Sequence, residues 1–513
     1  MKKIQYIIVL LFISTTVFGQ NMVDALRLSD YRLQGTARAT AMGNAFGALG
    51  GDFTSASINP AGIGLYRSSE FVVTPMFGKT DVDGSYLGRT MAESKYNISI
   101  PNLGYVANFN SNPNSTSGLV SVSFGVGYNR LNNYNVEKLV EGHNATSSLL
   151  DLFTLNADGY APSQLDAYYE QMAAYDNATG IGTDLIYSDE SNVYAHDMQR
   201  YPYTDDFTNY EHSQRKTFSQ RGSVDEFVLS LAANFNHKFY LGATVGIHDV
   251  YFKENTSLYE YDINYGGTQL DTYLNDYAFN TYLRTTGTGF NLKLGAIFKP
   301  IDALRLGVAF HSPTFYDLHD AYDNSMESYI TYADGSEYYQ AYSPYGDYDY
   351  KLETPMKAIF SAAYVIGKAG LISVDYEYVD YSTMKLRDGG DGYDFFDENQ
   401  DMEEAYKAVG NLHVGAEYRV TSNFSLRGGY EHYPSAFNKN AFGSFQPNSD
   451  ASTSTYSAGF GWKMNGFFVD MAYKHSSNDN NLNLYDVPAS VASPLAKFET
   501  MNDYITLTFG FRF

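Results

Sequence analysis

From residue 69 to the C-terminus, apolar and polar residues alternate with a period of two in one segment after another. Residues 304–311 and 412–419 show the pattern, and residues 504–513 show it most completely, because every second position is apolar up to the terminal Phe513. A period of two is that of a β-strand with two different faces. Strands of about ten residues with one apolar and one polar face are typical of a transmembrane barrel with a wet lumen. The pattern therefore predicts an all-β fold, an antiparallel β-barrel in a membrane.

The alternating segments predict about fourteen strands, an even number as in bacterial single-chain barrels. Short and long connections between them alternate, as expected if the short ones are periplasmic turns and the long ones are outer loops. The predicted short turns are residues 111–116, 237, 300–302, 368–369, 421–422 and 465–466. The predicted strands lie near residues 69–79, 95–109, 117–130, 223–236, 238–255, 281–299, 303–316, 351–367, 370–386, 409–420, 423–434, 453–464, 467–476 and 502–513.

One outer connection, residues 131–221, is far longer than the rest. Structureless loops of that length are rare, so we expect it to contain helices. Residues 149–155 form one candidate helix, and residues 164–175, with Ser163 as the N-cap, form a second. Their apolar faces are expected either to pack on each other or to form an apolar shelf above the pore mouth.

The first nineteen residues have the parts of a secretory signal peptide. Lys2 and Lys3 precede an apolar core at residues 4–13, and small residues at 17–19 form a cleavage site before Gln20. The core is shorter than the ~20 residues that a spanning helix needs. We therefore expect an exported protein that reaches the bacterial outer membrane.

Residues 21–66 lack the alternation of the later segments. Between Gly35 and Asp52 nearly every residue is small, and Asn59-Pro60 supplies a turn signal after this run. Small side chains let backbones approach closely, so such a segment is a poor core by itself but can fill a confined space. We interpret residues 21–66 as a plug, with residues 20–68 as an N-terminal hatch in the lumen and residues 69–513 as the barrel.

The composition excludes several classes of function. The 513 residues carry a formal net charge of -24, include 48 Tyr and 34 Phe, and contain no Cys. Without Cys there is no disulfide framework, thiolate zinc site or lipid anchor on a cysteine. An acidic chain is a poor partner for nucleic acid, whose phosphates require clustered Lys and Arg. The many aromatic residues fit strands and membrane interfaces.

Two stretches resemble a known family. Residues 36–46, with Gly51-Asp52 and residues 58–62 after them, resemble the N-terminal hatch of long-chain fatty acid outer-membrane transporters and the related aromatic-hydrocarbon uptake proteins. Residues 299–307 and 311–313 are similar to a strand of that family and its periplasmic turn. The resemblance implies a fourteen-stranded barrel closed by its N-terminus. It also implies passive uptake of a hydrophobic small molecule, with movement of the hatch and release into the membrane through a lateral opening at a kink in the third strand.

Two groups of glycines and turn residues are candidate site residues on this basis. In the third strand, Gly125 and Gly127 are candidates for the kink, since glycines in strands often mark a bend or a bulge; accommodation of a neighbouring aromatic ring is the alternative. In the hatch, Asn59 and Pro60 are expected to form the turn that seats it, with further packing points at Gly43, Ala61 and Gly62.

A fatty carboxylate would pair with a cation in the lumen. The alternation places four candidates there, and each has the alternative of an ion pair with Glu417, Glu431 or Asp470. The candidates are Arg305, Arg419, Arg427 and Lys474.

Other functions have less support in the sequence. No motif indicates a cofactor or a bound metal, and the acidic stretch 388–401 lacks the spacing of a calcium loop. A surface-exposed binding or adhesion barrel with Tyr-rich loops is one alternative. An outer-membrane phospholipase is another, and it requires a serine beside a histidine such as His413, His432 or His475. We expect no energy-coupling partner, a monomer, contact with outer-membrane lipid, and insertion by the barrel assembly machinery through the strand that ends at Phe513.

Overall fold

A computed structural model describes residues 22–110, 117–143, 145, 147–157, 187–188, 194–196, 212–262, 272–332, 334–343, 345–443, 446–485 and 495–513. The predicted signal peptide at residues 1–19, the turn at 111–116 and the helix at 164–175 lie outside these residues.

Most of the described chain is in strands. The strands are β1 (Glu70–Tyr86), β2 (Arg89–Asn110), β3 (Leu119–Asn133), β4 (Val136–His143), β5 (Tyr187–Ser188), β6 (Tyr194–Ala195), β7 (His212–Phe235), β8 (Phe239–Asp262), β9 (Thr272–Phe298), β10 (Leu304–His311), β11 (Phe315–Tyr332), β12 (Gly335–Tyr342), β13 (Gly346–Glu353), β14 (Lys357–Ile366), β15 (Gly370–Asp380), β16 (Lys385–Asp388), β17 (Ala408–Arg419), β18 (Phe424–Tyr433), β19 (Thr453–Met464), β20 (Phe467–Asn483) and β21 (Leu495–Arg512).

The helices are few and short. They are α1 (Met22–Ser29), α2 (Ala37–Ala41), α3 (Ser55–Ile58), α4 (Leu149–Ala157) and α5 (Phe396–Ala405), with 3₁₀ helices at Pro60–Leu65, Tyr381–Thr383 and Ala441–Gly443. Helix α4 coincides with the predicted helix at 149–155. Helix α5 lies in the acidic outer stretch, where no helix was predicted. No helix within the described residues is long and apolar enough to cross a membrane.

The strands pair antiparallel around a closed ring. β1 pairs with β2 on one side and with β21 on the other, so that Glu70 lies opposite both Val106 and Arg512. Four barrel strands are each divided by a short break into two segments. These pairs of segments are β3 and β4, β10 and β11, β13 and β14, and β15 and β16. Counting each of these once, and leaving out the outer hairpin strand β12 and the small β5–β6 pair, the described residues form fourteen barrel strands. The predicted fold class is confirmed.

The turns at one end of the barrel are short, as predicted. Residues 236–238, 299–303, 367–369, 420–423 and 465–466 connect strands there. At the other end the strands run further than predicted. β1 and β2 meet in a two-residue turn at Leu87-Gly88, and residues 131–143 and 212–221 belong to strands instead of the large insertion. Polar residues on both faces obscured these extensions, because strands beyond the membrane no longer need an apolar face.

The two faces of the wall differ in the predicted way. On β7, Phe227, Leu229 and Leu231 are exposed, whereas Glu226 and Ser230 are buried. The same alternation on β8, β9 and β10 leaves an apolar band outside and polar side chains inside. An apolar outer band suits contact with lipid, and a polar interior suits a water-accessible lumen, as in other membrane barrels.

Residues 22–66, the N-terminal segment, contact strands from opposite sides of the ring. From Thr36 to Gly64 all residues are buried except Arg38 and Gly51, which are partly buried. The backbone N–H of Ala37 donates to Thr508 Oγ1 of β21 (2.7 Å), and that of Gly47 donates to Asp375 Oδ2 of β15 (2.7 Å). Apolar side chains of the segment pack on inward-facing residues of the wall, such as Ala309, Ile359, Val72, Val106 and Val228.

Candidate functional site

A cavity of about 770 Å³, counting its opening to solvent, lies between the N-terminal segment and the wall. Strands β8 to β18 supply most of its lining, and Leu131 of β3 closes one side. The lining combines apolar side chains with polar ones that include two lysines and three histidines. The apolar residues are Leu33, Ile58, Leu131, Pro355 and Ile359, and the polar ones include Tyr31, Asn44, Ser57, His248, Asn291, Lys293, His311, Thr314, Thr354, Lys357, Asp375, Glu377, His413 and Tyr433.

The Asn59-Pro60 turn forms part of the floor beside this cavity. Asn59 Oδ1 accepts the backbone N–H of Ala61 (3.1 Å) and so caps the 3₁₀ helix, while its Nδ2 donates to the Gly47 carbonyl (2.6 Å). The wall approaches so closely that a Cβ at Gly295 would collide with Asn59 Oδ1. Strand glycines therefore make room for this turn.

The other hatch residues are packing points in the same segment. Gly43 has a φ of 58°, and a Cβ there would lie 2.9 Å from the Tyr430 carbonyl oxygen of β18. A Cβ at Gly62 would lie 2.7 Å from the Cβ of Ser55, and Ala61 is fully buried. Only very small residues fit at these positions.

A buried charge cluster holds the N-terminal segment against β7, β8 and β9. Glu226 has no exposed surface. It accepts a hydrogen bond from Ser57 Oγ (2.5 Å) and forms an ion pair with Lys293. His248 Nε2 lies 3.3 Å from the same carboxylate, and Lys293 also reaches the Ser57 carbonyl at 3.3 Å. A buried ion pair needs such additional hydrogen bonds to offset its desolvation.

Lys357 is the second cation of the cavity. Its ammonium lies 3.4 Å from Glu377 and 4.8 Å from the centre of the Tyr31 ring. Burial raises the pKa of Tyr31 to about 12, so this ring remains neutral at physiological pH. His311 donates from Nε2 to the Ile58 carbonyl at 2.9 Å. The polar part of the cavity therefore offers two ammonium groups and several hydrogen-bond donors.

The cations predicted from the sequence lie elsewhere. Arg427 binds Glu417 (2.8 Å) and Asp470 (2.6 Å), and Lys474 binds Glu431 (3.1 Å), which is the ion-pair alternative. Arg305 donates to the Leu49 carbonyl (2.5 Å), and Arg419 is exposed at the end of β17. None of the four lines the cavity. Lys293 lies between the exposed Leu292 and Leu294, so the same alternation of apolar and polar residues could have identified it as a lumen cation.

The wall beside the cavity is broken at Pro313 and Pro355 but remains hydrogen-bonded. The Leu292 N–H donates to Ser312 Oγ (3.0 Å), and the Thr314 N–H donates to Thr354 Oγ1 (2.9 Å). The Thr354 N–H in turn donates to the Thr314 carbonyl (3.0 Å). Hydroxyl oxygens thus replace the carbonyl acceptors that the distorted ladder no longer offers.

A second break lies between β2 and β3, and there the ladder ends. Asn102 of β2 lies opposite Asn129 of β3. The two strands pair from there to Asn110 of β2, and in the described part of the chain they do not pair on the other side of Asn102. Among the described residues, no strand pairs with residues 89–101 of β2 on the side away from β1. Pro101 stands where the ladder stops, and it has no N–H to offer a neighbour. We call this unpaired stretch, residues 89–101 facing residues 130–143, the β2–β3 seam.

The chain beyond Asn129 turns away from β2. The carbonyls of Arg130 and Leu131 accept the N–H groups of Gln34 (2.8 Å) and Arg32 (2.9 Å) of the N-terminal segment. β4 then pairs with β7 and passes close to β1 and β2, where Glu137 forms an ion pair with Lys95 (2.8 Å). The third strand therefore separates from β2 at Asn129 but stays in the sheet, where residues beyond Asn129 and β4 pair with β7.

The two glycines proposed for the kink lie in the intact part of the ladder. Gly125 pairs with Val106 and Gly127 with Gly104. A Cβ at Gly127 would lie 2.5 Å from Cζ of the Phe53 ring, whereas one at Gly125 would meet nothing closer than 3.5 Å. Gly127 accommodates an aromatic ring of the N-terminal segment, and Pro101 is the sequence signal that marks the break.

The histidines considered for a phospholipase have separate surroundings. His413 Nδ1 lies 3.1 Å from the Gly43 carbonyl, and His475 Nδ1 lies 2.9 Å from Asp503. His432 Nδ1 lies 3.3 Å from Ser454 Oγ, and its ring stacks on Tyr430. No carboxylate contact of His432 is present among the described residues to complete a triad.

The sequence model of one family, described as outer membrane protein transport protein (OMPP1/FadL/TodX), matches residues 200–513, more than half of the chain. The chain belongs to this family. It is therefore an outer-membrane transporter of hydrophobic compounds, and its family consists of transport channels, not of enzymes. The family predicted from the sequence is confirmed.

Solved structures show the same fold at low sequence identity. A FadL homologue from Pseudomonas aeruginosa is 14% identical with a TM-score of 0.53, covering 94% of this chain and 98% of that chain. A deltaS2 mutant of the TodX monoaromatic hydrocarbon channel is 12% identical with a TM-score of 0.50, covering 93% and 98%. The toluene transporter TodX of Pseudomonas putida is 12% identical with a TM-score of 0.49, covering 94% and 99%. No curated protein matches the sequence.

Proposed function

We propose that this transporter carries amphipathic molecules, most specifically long-chain fatty acids, and not bare hydrocarbons. The cavity supports this proposal, because its lining joins apolar side chains to charged and polar ones, as the linings of small-molecule sites do. An acyl chain fits against Leu33, Ile58 and Ile359, while a carboxylate fits beside Lys357. A hydrocarbon such as toluene has no polar group, so it would gain nothing from the ammonium of Lys357.

In this proposal the N-terminal segment acts as the hatch. Lys293 and His311 of the wall bind the carbonyls of Ser57 and Ile58, so the hatch and the polar end of the cavity share hydrogen-bond donors. A ligand carboxylate next to these donors competes for them. Binding therefore weakens the contacts that seat the hatch, and the ligand's free energy of binding supports its displacement.

The ligand then leaves through the β2–β3 seam into the membrane. An apolar chain gains nothing from a water-filled route but gains from sideways entry into hydrocarbon. The unpaired backbone groups of residues 89–101 need hydrogen-bond partners in a membrane, and the polar head of a passing ligand can supply them. Outward from the seam, Ile98 is 82% exposed, which gives the acyl chain an apolar surface to follow.

Uptake of labelled oleate and of labelled toluene tests the proposal. We expect Lys357→Met to raise the half-saturating oleate concentration roughly tenfold, since a hydrogen bond to a charged group contributes about 1.5–3 kcal/mol. Toluene uptake should not change. Lys357→Arg should restore much of the oleate uptake. Lys351→Met, an exposed lysine of β13, is the matched control.

Two results would contradict the proposal. One is wild-type protein that takes up toluene but no oleate. The other is an equal effect of Lys357→Met on both compounds, which would indicate a structural role of the lysine.

The assembly of the barrel follows from its closing strands. We propose that the barrel assembly machinery binds the last strand, β21, which ends in the exposed Phe511 and Phe513. Closure of the ring within one chain, β1 on β21, supports a monomer.

A further inference from the structure

A chain of hydrogen bonds joins Ala37 and Ser57 of the N-terminal segment through the base of the β2–β3 seam. The Ala37 N–H donates to Thr508 Oγ1 (2.7 Å), which lies 2.8 Å from Thr74 Oγ1. Thr74 donates to Asn102 Oδ1 at 3.3 Å. The first half of the chain thus joins helix α2 to Asn102, the last paired residue of β2.

The second half returns to the N-terminal segment. Asn102 Nδ2 donates to Asn129 Oδ1 (2.5 Å), and Asn129 Nδ2 donates to Ser57 Oγ (2.8 Å). Ser57 Oγ donates its own proton to Glu226 at 2.5 Å. Each group in this chain accepts one bond and passes one on in the same direction, so a single arrangement of protons satisfies all of them.

We propose that Asn102 and Asn129 form a releasable clasp at the base of the seam, and that Ser57 couples the clasp to the hatch. Both asparagines have no exposed surface. Loss of Ser57 would leave the Asn129 amide buried with an unsatisfied N–H, which destabilises the pair. Displacement of the hatch therefore destabilises the last pair of the ladder, and the seam lengthens towards the periplasm. Asn129 is a positioning residue that makes hatch and seam move together.

The direction of the coupling follows from the surrounding ladder. Below the clasp, eight consecutive pairs from Leu103–Tyr128 to Asn110–Ser121 hold β2 to β3. Above it, β3 is bonded to Arg32 and Gln34 of the N-terminal segment instead of to β2. When the segment moves, both the clasp and this edge lose partners at once, so opening begins at the clasp.

A cysteine pair tests the clasp, because the protein has no cysteine of its own. Opposed residues of antiparallel strands have Cα atoms about 4.5–5.5 Å apart, which suits a disulfide. We expect Asn102→Cys/Asn129→Cys to lose oleate uptake on oxidation and to regain it on reduction. Asn108→Cys/Ser123→Cys, a hydrogen-bonded inward pair lower in the same ladder, is the control and should transport in both states. Full uptake by the oxidised Asn102→Cys/Asn129→Cys protein overturns the clasp.

A second measurement needs no ligand, so it separates this proposal from the fatty-acid proposal on which its transport readout rests. Hydrogen exchange at the backbone amides of residues 102–104, which lie in the ladder at the clasp, should be faster in the Ser57→Ala protein than in wild type. Ser55→Ala should leave the rate unchanged, because the Ser55 hydroxyl has no hydrogen-bond partner among the described residues. Equal rates in the Ser57→Ala and Ser55→Ala proteins overturn the coupling. Failure of wild-type protein to transport oleate would contradict only the ligand assignment.

Discussion

Prolines interrupt the wall of this barrel in two regions, with opposite results. Beside β9, Pro313 and Pro355 break two neighbouring strands, yet the hydroxyls of Ser312 and Thr354 take over as acceptors and the wall stays closed. At Pro101 no such substitution occurs, and β2 loses its partner on one side over residues 89–101.

The comparison shows that proline alone does not open a barrel. Proline removes one donor and distorts the ladder in both regions. The outcome depends on the neighbouring side chain. At Ser312 and Thr354 a hydroxyl sits next to the proline and bonds to the adjacent strand. At Asn102 the amide bonds to Asn129, and that pair is itself held by the N-terminal segment. The closed break is held by side chains of the wall, whereas the last pair beside the other break is also held by Ser57 of the N-terminal segment.

The largest expected effect is at Glu226, which links the two regions through Lys293 and Ser57. Glu226→Ala leaves a buried ammonium without its partner and should lower the free energy of unfolding by about 3–5 kcal/mol. Urea titration in detergent micelles would measure this loss. Glu353→Ala breaks a surface pair with Arg387 (2.6 Å) and should cost less than about 1 kcal/mol. Equal losses would show that the buried cluster does not hold hatch and wall together.

A smaller effect is expected where hydroxyls close the wall. Ser312→Ala and Thr354→Val each leave a backbone N–H without its acceptor, at a cost of about 1–3 kcal/mol. Together they should make the wall beside β9 resemble the seam, and liposomes with the variant should leak small polar solutes. Thr383→Val removes an exposed hydroxyl and is the control. A double variant that is as stable and tight as wild type would refute the role of these hydroxyls.

The smallest effects separate the two glycines of the third strand. Gly127→Ala should cost about 1–3 kcal/mol, because a Cβ would meet the Phe53 ring and the Leu103 carbonyl. Gly125→Ala should lie within about 1 kcal/mol of wild type, since its nearest neighbour would be Ser230 at 3.5 Å. Thermal unfolding followed by gel mobility would compare them. If Gly125→Ala were the more damaging change and also abolished uptake, the kink would belong at the glycines and not at Asn129.

The sequence by itself determined the barrel. A strand has a period of two, so residues such as 504–513 reveal which face meets lipid without knowledge of any contact. The short turns were readable for the same reason, as they interrupt the alternation at regular intervals. The small-residue run from Gly35 to Ala61 likewise identified the segment that contacts the inside of the wall. These features are local, and local patterns survive in a single sequence.

Only the tertiary structure decided the site. All four lumen cations Lys293, Lys357, Arg427 and Lys474 pair with a carboxylate, and only the first two also line the cavity. Which of them lines it depends on strands far apart in the chain, so the pattern could not tell them apart. Likewise, the β2–β3 ladder ends beside Pro101 while the wall at Pro313 stays hydrogen-bonded, because their neighbours bond to different partners across the barrel. Hydrogen bonds between distant residues carry that difference, and the order of residues along one strand does not record them.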